Sequence, residues 1–364
     1  MPRAGRAAAR TAMTAPLNAS MKEILALTKA GRLGDATAMI QRSLGAGESP
    51  GSADIVDLDA AALPHPTTIE GKARRANSAP VASGRATRRS FANAQGKLAY
   101  RLYVPAKPLA SPPLVVMLHG CTQSAEDFAR GTQMDALAEE GGFIVAYPEQ
   151  TQAANQQKCW NWFRPSDQKR GSGEPAVIAG IVEEIVAEHN VDPSRVYVAG
   201  LSAGGAAAAI MAAGYPDIFA AVGVHSGLAC GSAQDLPSAF AAMQGRGKKR
   251  RGKPVAFVPI ITLHGDRDST VHPDNSEQIH AALSASPQLA GLLRTEQEGV
   301  SLSGRRYRRI DMVDKAGRSF SEDWQIAGAG HAWSGGSPDG SYTEPDGPNA
   351  SREMVRFFMQ HQLG

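Results

Sequence analysis

Apolar residues fall along this chain in two registers. Short unbroken apolar runs alternate with stretches in which apolar residues recur every three to four positions. Leu114-Val115-Val116-Met117-Leu118 is the clearest run, and it stops at His119-Gly120. An apolar run without polar alternation predicts a parallel strand buried on both faces. Leu98 to Val104, Phe143 to Tyr147, Arg195 to Ala199, Ala221 to Val224 and Ile260 to Leu263 read as further strands. Tyr307 to Val313 and Trp324 to Ala327 read as late ones. Helical spacing runs through Phe128, Met134, Leu137 and Ala138. Pro175 to His189 predicts a helix with Pro in its first turn and Ile178, Ile181, Val182, Ile185 and Val186 on its apolar face. An Ala-rich helix follows Ser202, and Asn349 to Gln362 reads as a closing helix. This alternation predicts an α/β fold with a mainly parallel central sheet covered by helices on both faces. Ligands of such sheets bind at the carboxyl ends of the strands.

Upstream of Phe91 the pattern weakens. Residues 1–20 are basic and read as a disordered extension, with Met21 as an alternative start of translation. Residues 21–44 carry two apolar clusters interrupted by Gly31 and Gly34, which predicts a short amphipathic helical segment. Residues 45–90 are rich in Ala, Gly, Pro and Arg and read as a flexible linker. The main domain is expected over 91–364.

Composition narrows the class. Hydrophobic residues make up 42% of 364, enough for a sizeable core. The net charge of +3 names no partner, and the basic runs, such as RGKKRRGK at 246–253, read as solvated loops. No nucleic-acid partner is expected. No window reaches the roughly 18 apolar residues of a membrane span. The start lacks the continuous apolar stretch of a secretory signal, so the cytoplasm is the expected compartment and an extracellular one the alternative. Three cysteines, Cys121, Cys159 and Cys230, allow one disulfide in an oxidising compartment and describe no disulfide scaffold.

Gly200-Leu201-Ser202-Ala203-Gly204 fits G-x-S-x-G between a strand and a helix. That context is a nucleophile elbow, in which a strained turn lifts the serine hydroxyl out of the sheet. A serine needs a base and an orienter for the base, here in the chain order Ser, acid, His. After the strand at 260–263, His264-Gly265-Asp266-Arg267-Asp268 offers two carboxylates. The G-x-x-D spacing, with a hydrophobic residue three places on, favours Asp268 and leaves Asp266 to brace the loop. The expected base is His331, in Gly328-Ala329-Gly330-His331-Ala332-Trp333. The oxyanion needs backbone donors. Ala203 N–H and Cys121 N–H are the candidates. Trp160 and Trp333 are candidate substrate contacts. No cofactor or metal is expected, because the cysteines lack C-x-x-C spacing and the His and carboxylates fit a triad.

LHGCTQSAEDF (118–128), AYPEQ (146–150), CWNWF (159–163), RVYVAGLSAGG (195–205), LHGDRDSTV (263–271) and GHAWSGG (330–336) occur in that order. Together they resemble the poly(3-hydroxybutyrate) depolymerase family of esterases, which also takes in feruloyl and acetylxylan esterases. The resemblance implies an α/β-hydrolase fold, carboxylic ester hydrolysis and a triad on Ser202, Asp268 and His331. It makes polyhydroxyalkanoate, its oligomers or related short-chain esters the expected substrate, with feruloyl or acetylxylan ester hydrolysis as the alternative. A non-enzymatic granule-surface protein is the reading from another class. In either case, residues 21–44 are the candidate contact with a polymer granule.

Overall fold

The computed structural model describes residues 84–247, 257–283 and 286–364. The expectations for 1–20 and 21–44, and nearly all of those for 45–90, lie outside the described residues.

The described residues begin with β1 (Arg85–Asn93), β2 (Gly96–Val104), β3 (Leu114–Leu118), α1 (Ala125–Thr132), α2 (Met134–Gly141) and β4 (Ile144–Glu149). They continue with α3 (Gly173–His189), β5 (Val196–Leu201), α4 (Ala203–Gly214), β6 (Ala221–His225), α5 (Leu236–Ala241), β7 (Ile260–Gly265) and α6 (Asp274–Leu283). The last elements are β8 (Leu293–Val300), β9 (Arg306–Val313), β10 (Ser319–Ile326), β11 (Trp333–Ser334), β12 (Thr343–Glu344) and α7 (Ala350–Phe358).

The main sheet has the order β1-β2-β4-β3-β5-β6-β7-β10-β9-β8. Its middle six strands, β4 to β10, pair in parallel. Antiparallel pairs extend both edges. All five residues of β3 are buried, and their alternation sorts them between two cores. Leu114, Val116 and Leu118 join Ile178 and Ile181 of α3 and Ala206 and Met211 of α4. Val115 and Met117 join Phe128 of α1, Met134 of α2 and Met354 and Phe357 of α7. Each large side chain so buried contributes roughly 1.5–3 kcal/mol of hydrophobic stabilisation. Among the described residues, no helix is long and apolar enough to cross a membrane.

Three features depart from the sequence reading. Residues 85–90, assigned to the linker, belong to β1, which pairs with β2 from Arg85↔Val104 to Asn93↔Gly96. β1 is an edge strand and needs no apolar alternation. Two of its arginines reach carboxylates instead, Arg88 to Glu149 at 3.1 Å and Arg89 to Glu188 at 2.6 Å. β8, at the other edge, is mostly exposed and carried no strand pattern. The helical stretch around Met134 is two helices, because Gln133 turns left-handed (φ 52°) between them.

Candidate active site

The parallel strands end on one side of the sheet, and every motif expected to carry chemistry follows one of those ends. Ser202 comes directly after β5 and is the first residue before α4. Its backbone sits at φ 58°, ψ −119°, a conformation that costs a non-glycine residue on the order of 1–3 kcal/mol. The neighbouring strand holds it there, since Ser202 N–H donates to His225 O at 2.9 Å. The Ser202 side chain makes no capping bond to α4, so its hydroxyl is left to other partners.

The flanking glycines are required by close packing. A Cβ on Gly204 would collide with the Leu118 carbonyl, and one on Gly200 would meet Leu118 O at 2.7 Å and the Gly204 backbone. The elbow is therefore pressed against the end of β3, where the next loop, His119-Gly120-Cys121, begins.

Asp268 lies in the loop after β7 and is 3% exposed, against a largely exposed Asp266. Its Oδ1 accepts Thr270 N–H at 2.9 Å and Val271 N–H at 2.8 Å. Its Oδ2 stands 2.7 Å from His331 Nδ1. His264 Nε2 approaches the same oxygen at 3.3 Å while donating to Val271 O at 2.8 Å. Burial alone would raise the Asp268 carboxyl, but the bonds from His264 and His331 outweigh it and hold it well below the usual carboxylate range. An ionised Asp268 fixes the His331 proton on Nδ1 and leaves Nε2 as a basic lone pair. Asp266 Oδ1 accepts Gly328 N–H at 2.7 Å and so ties its loop to the one carrying His331.

In the loop after β3, Gly120 N–H donates to Gln123 Oε1 at 2.8 Å and Thr122 N–H to Gln157 O at 2.6 Å. Cys121 N–H, between them, takes no acceptor among the described residues. Ala203 N–H, at the first turn of α4, is one of the amides a helix leaves unpaired. Cys121 is joined to Cys159 by a disulfide.

His119 and His225 are buried at the ends of β3 and β6, the two strands that flank β5. Gln150 N–H donates to His119 Nε2 at 3.0 Å, so His119 Nδ1 carries the proton and donates to Gly120 O at 2.7 Å. Ser334 N–H likewise donates to His225 Nε2 at 3.0 Å. Burial pushes the two imidazoles down to about 4 and about 3, so both are neutral braces of loop backbone.

The structure buries both tryptophans proposed as substrate contacts. Trp160 is 0% and Trp333 1% exposed. Trp160 Nε1 donates to His119 O and Trp333 Nε1 to Ser351 Oγ, each at 3.0 Å. Trp333 also stacks on His225. Each buried indole N–H thus has its acceptor. Trp162 is likewise buried.

Sequence reasoning missed three contributors: His264 as a second partner of Asp268, Gln123 as the clamp on Gly120, and Tyr342. Gln123 Nε2 also donates to Ser341 O at 3.0 Å. Tyr342, largely exposed and left-handed (φ 53°), places its hydroxyl 3.2 Å from Thr122 Oγ1. No motif distinguishes these residues in a single sequence.

Comparison with known proteins places the chain among esterases. The family model described as Esterase PHB depolymerase matches residues 98–293. The chain is 34% identical over 254 residues to poly(3-hydroxyalkanoate) depolymerase C of Paucimonas lemoignei, covering 66% of this chain and 60% of that protein. It is 38% identical over 139 residues to feruloyl esterase B of Thermothelomyces thermophilus, covering 38% and 47%. It is 33% identical over 196 residues to a probable acetylxylan esterase A of Aspergillus clavatus, covering 49% and 62%. In each case it spans less than two thirds of the relative's length. An acetyl xylan esterase from Aspergillus awamori superposes with a TM-score of 0.57 at 21% identity, over 72% of this chain and 94% of that one, which carries the α/β-hydrolase fold. With more than half of its length matched by the family model, the chain belongs to the PHB depolymerase family of esterases.

Proposed function

We propose that the protein is a serine carboxylesterase working through an acyl-enzyme. The observation that carries this reading is the 2.7 Å contact between His331 Nδ1 and Asp268 Oδ2, on the same side of the sheet as the strained Ser202. In the first half-reaction, His331 Nε2 takes the Ser202 hydroxyl proton as Oγ attacks the ester carbonyl. Asp268 stabilises the imidazolium that forms. Cys121 N–H and Ala203 N–H receive the negative charge on the carbonyl oxygen. Collapse expels the alcohol, which takes its proton from His331. Water, activated by His331, then attacks the acyl-enzyme, and the acid product leaves Ser202 free.

Polyhydroxyalkanoate, its oligomers or related short-chain esters are the leading substrates, supported by the match to the depolymerase of Paucimonas lemoignei. Feruloyl or acetylxylan ester hydrolysis is the second reading, supported by the relatives of those names. The Cys121–Cys159 disulfide favours an oxidising compartment, and with it the extracellular alternative over the cytoplasm. Granule contact through residues 21–44 lies outside the described residues. A panel of initial rates separates the substrates: hydroxybutyrate oligomers, p-nitrophenyl esters of graded length, methyl ferulate and acetylated xylan. Oligomers are expected to give the highest kcat/KM. A preference for methyl ferulate or acetylated xylan would favour the second reading, and no hydrolysis of any ester would remove both.

A further inference from the structure

Behind the loop that carries Cys121 lies a polar cluster with no part in the proton transfers above. Its centre is Glu174, in the first turn of α3. Asn161 N–H donates to the carboxylate at 2.8 Å, Asn161 Nδ2 at 2.5 Å and Gln150 Nε2 at 2.5 Å. The Glu174 N–H donates in turn to Asp167 Oδ1 at 2.9 Å. Three N–H donors on one carboxylate match its ionised form. The two donor residues belong to separate segments, the turn after β4 and the loop at 159–161.

Each segment grips the loop after β3. Gln150 N–H donates to His119 Nε2 at 3.0 Å, and Trp160 Nε1 donates to His119 O at 3.0 Å. Cys159 is disulfide-bonded to Cys121, and Gln150 Nε2 reaches back to Cys159 O at 3.4 Å. The residues on both sides of Gly120 are thus fixed from segments that converge on one carboxylate. The aim of Cys121 N–H depends on this frame, and an oxyanion donor displaced by a fraction of an ångström loses much of its effect.

We propose that Glu174 is a positioning residue for the oxyanion donor at Cys121. This inference rests on the reading of Cys121 N–H given above. Glu174→Gln tests it, because it keeps the volume and replaces one acceptor oxygen with an N–H₂ that faces donors. The assay is p-nitrophenyl acetate hydrolysis at pH 8, with affinity for a trifluoromethyl ketone, whose adduct carries an oxyanion, as the second readout. The expected result is a kcat lower by roughly 10- to 100-fold, KM within about twofold, and ketone affinity reduced by a similar factor. Should Glu174→Gln fail to fold, Asn161→Ala, which removes one donor, is read the same way, with about 3- to 10-fold losses expected. Unchanged kcat in a folded variant, or reduced kcat with undiminished ketone affinity, would overturn the role of Glu174 alone. Full turnover by Ser202→Ala would instead remove the hydrolytic reading, and this inference with it.

Discussion

The Asp268 carboxylate is shared by two imidazoles: Oδ2 lies 2.7 Å from His331 Nδ1 and 3.3 Å from His264 Nε2, while Oδ1 is anchored by two loop amides. The carboxylate of Asp266, two residues earlier, accepts the Gly328 N–H. This asymmetry separates the two acids. Asp268→Asn is expected to lower kcat by about 10³-fold or more, since an amide cannot fix the imidazole tautomer or balance the imidazolium. Asp266→Asn is expected to stay within about threefold, because it loses a single loop contact. Steady-state kinetics on one p-nitrophenyl ester decide, and equal losses at the two positions would reverse the assignment.

The glycine contacts at the elbow give a stability prediction. Gly204→Ala drives a methyl group into the Leu118 carbonyl, a backbone atom that cannot rotate away. A loss of about 1–3 kcal/mol is expected, seen as a melting temperature lower by roughly 3–10 °C. Gly330→Ala, next to His331, meets nothing within 4 Å and serves as the control. Its expected change is within about 0.5 kcal/mol. Equal melting temperatures for Gly204→Ala and the native protein would refute the close packing of the elbow on β3.

Much of this was legible in the sequence, for a physical reason. Strands such as β3, β5 and β7 are buried on both faces, so they need continuous apolar runs, and those runs are visible. Residues such as Ser202 and Asp268 sit just past the ends of those runs, so their place follows from the strand pattern. The edge strands β1 and β8 make no such demand. RATRRSFAN and LRTEQEGV are held by backbone pairing to one neighbour, and their side chains meet mostly water or opposite charges. The burial of Trp160 and Trp333 is not legible, because aromatic size fits a core and a binding wall equally well. The Glu174 frame left no trace because its partners, Gln150 and Asn161, are ordinary polar residues until the fold brings them together.

The buried histidines set the direction of acid stability. His119, His225 and His361 have folded values of about 4, about 3 and about 4, each lowered chiefly by burial. Their unfolded value lies near 6.5, so between pH 6.5 and 4 the unfolded chain binds protons that the native state refuses. Stability is therefore lost as pH falls below 6.5, by about 2 kcal/mol per histidine at pH 5. Glu174, which burial raises to about 7, opposes this, because the native state takes up its proton first. That contribution runs the other way and is smaller than that of the three histidines together. Asp268 adds a further loss only at lower pH, as its depressed carboxyl is finally protonated. Urea unfolding at pH 8 and pH 5 checks the sign. Greater stability at pH 5 would contradict the assignment of these histidines as neutral.

Ser202 is the proposed nucleophile, and a covalent label is the sharpest probe of that role. Intact-mass analysis after treatment with a p-nitrophenyl phosphonate is expected to show one adduct per chain, mapping to the peptide that holds Ser202. Ser202→Ala, which removes the attacking oxygen and little volume, is expected to take no adduct and to lose roughly 10⁴-fold or more in kcat/KM with its melting temperature preserved. An adduct on another residue, or near-native turnover by Ser202→Ala, would show that Ser202 is not the nucleophile.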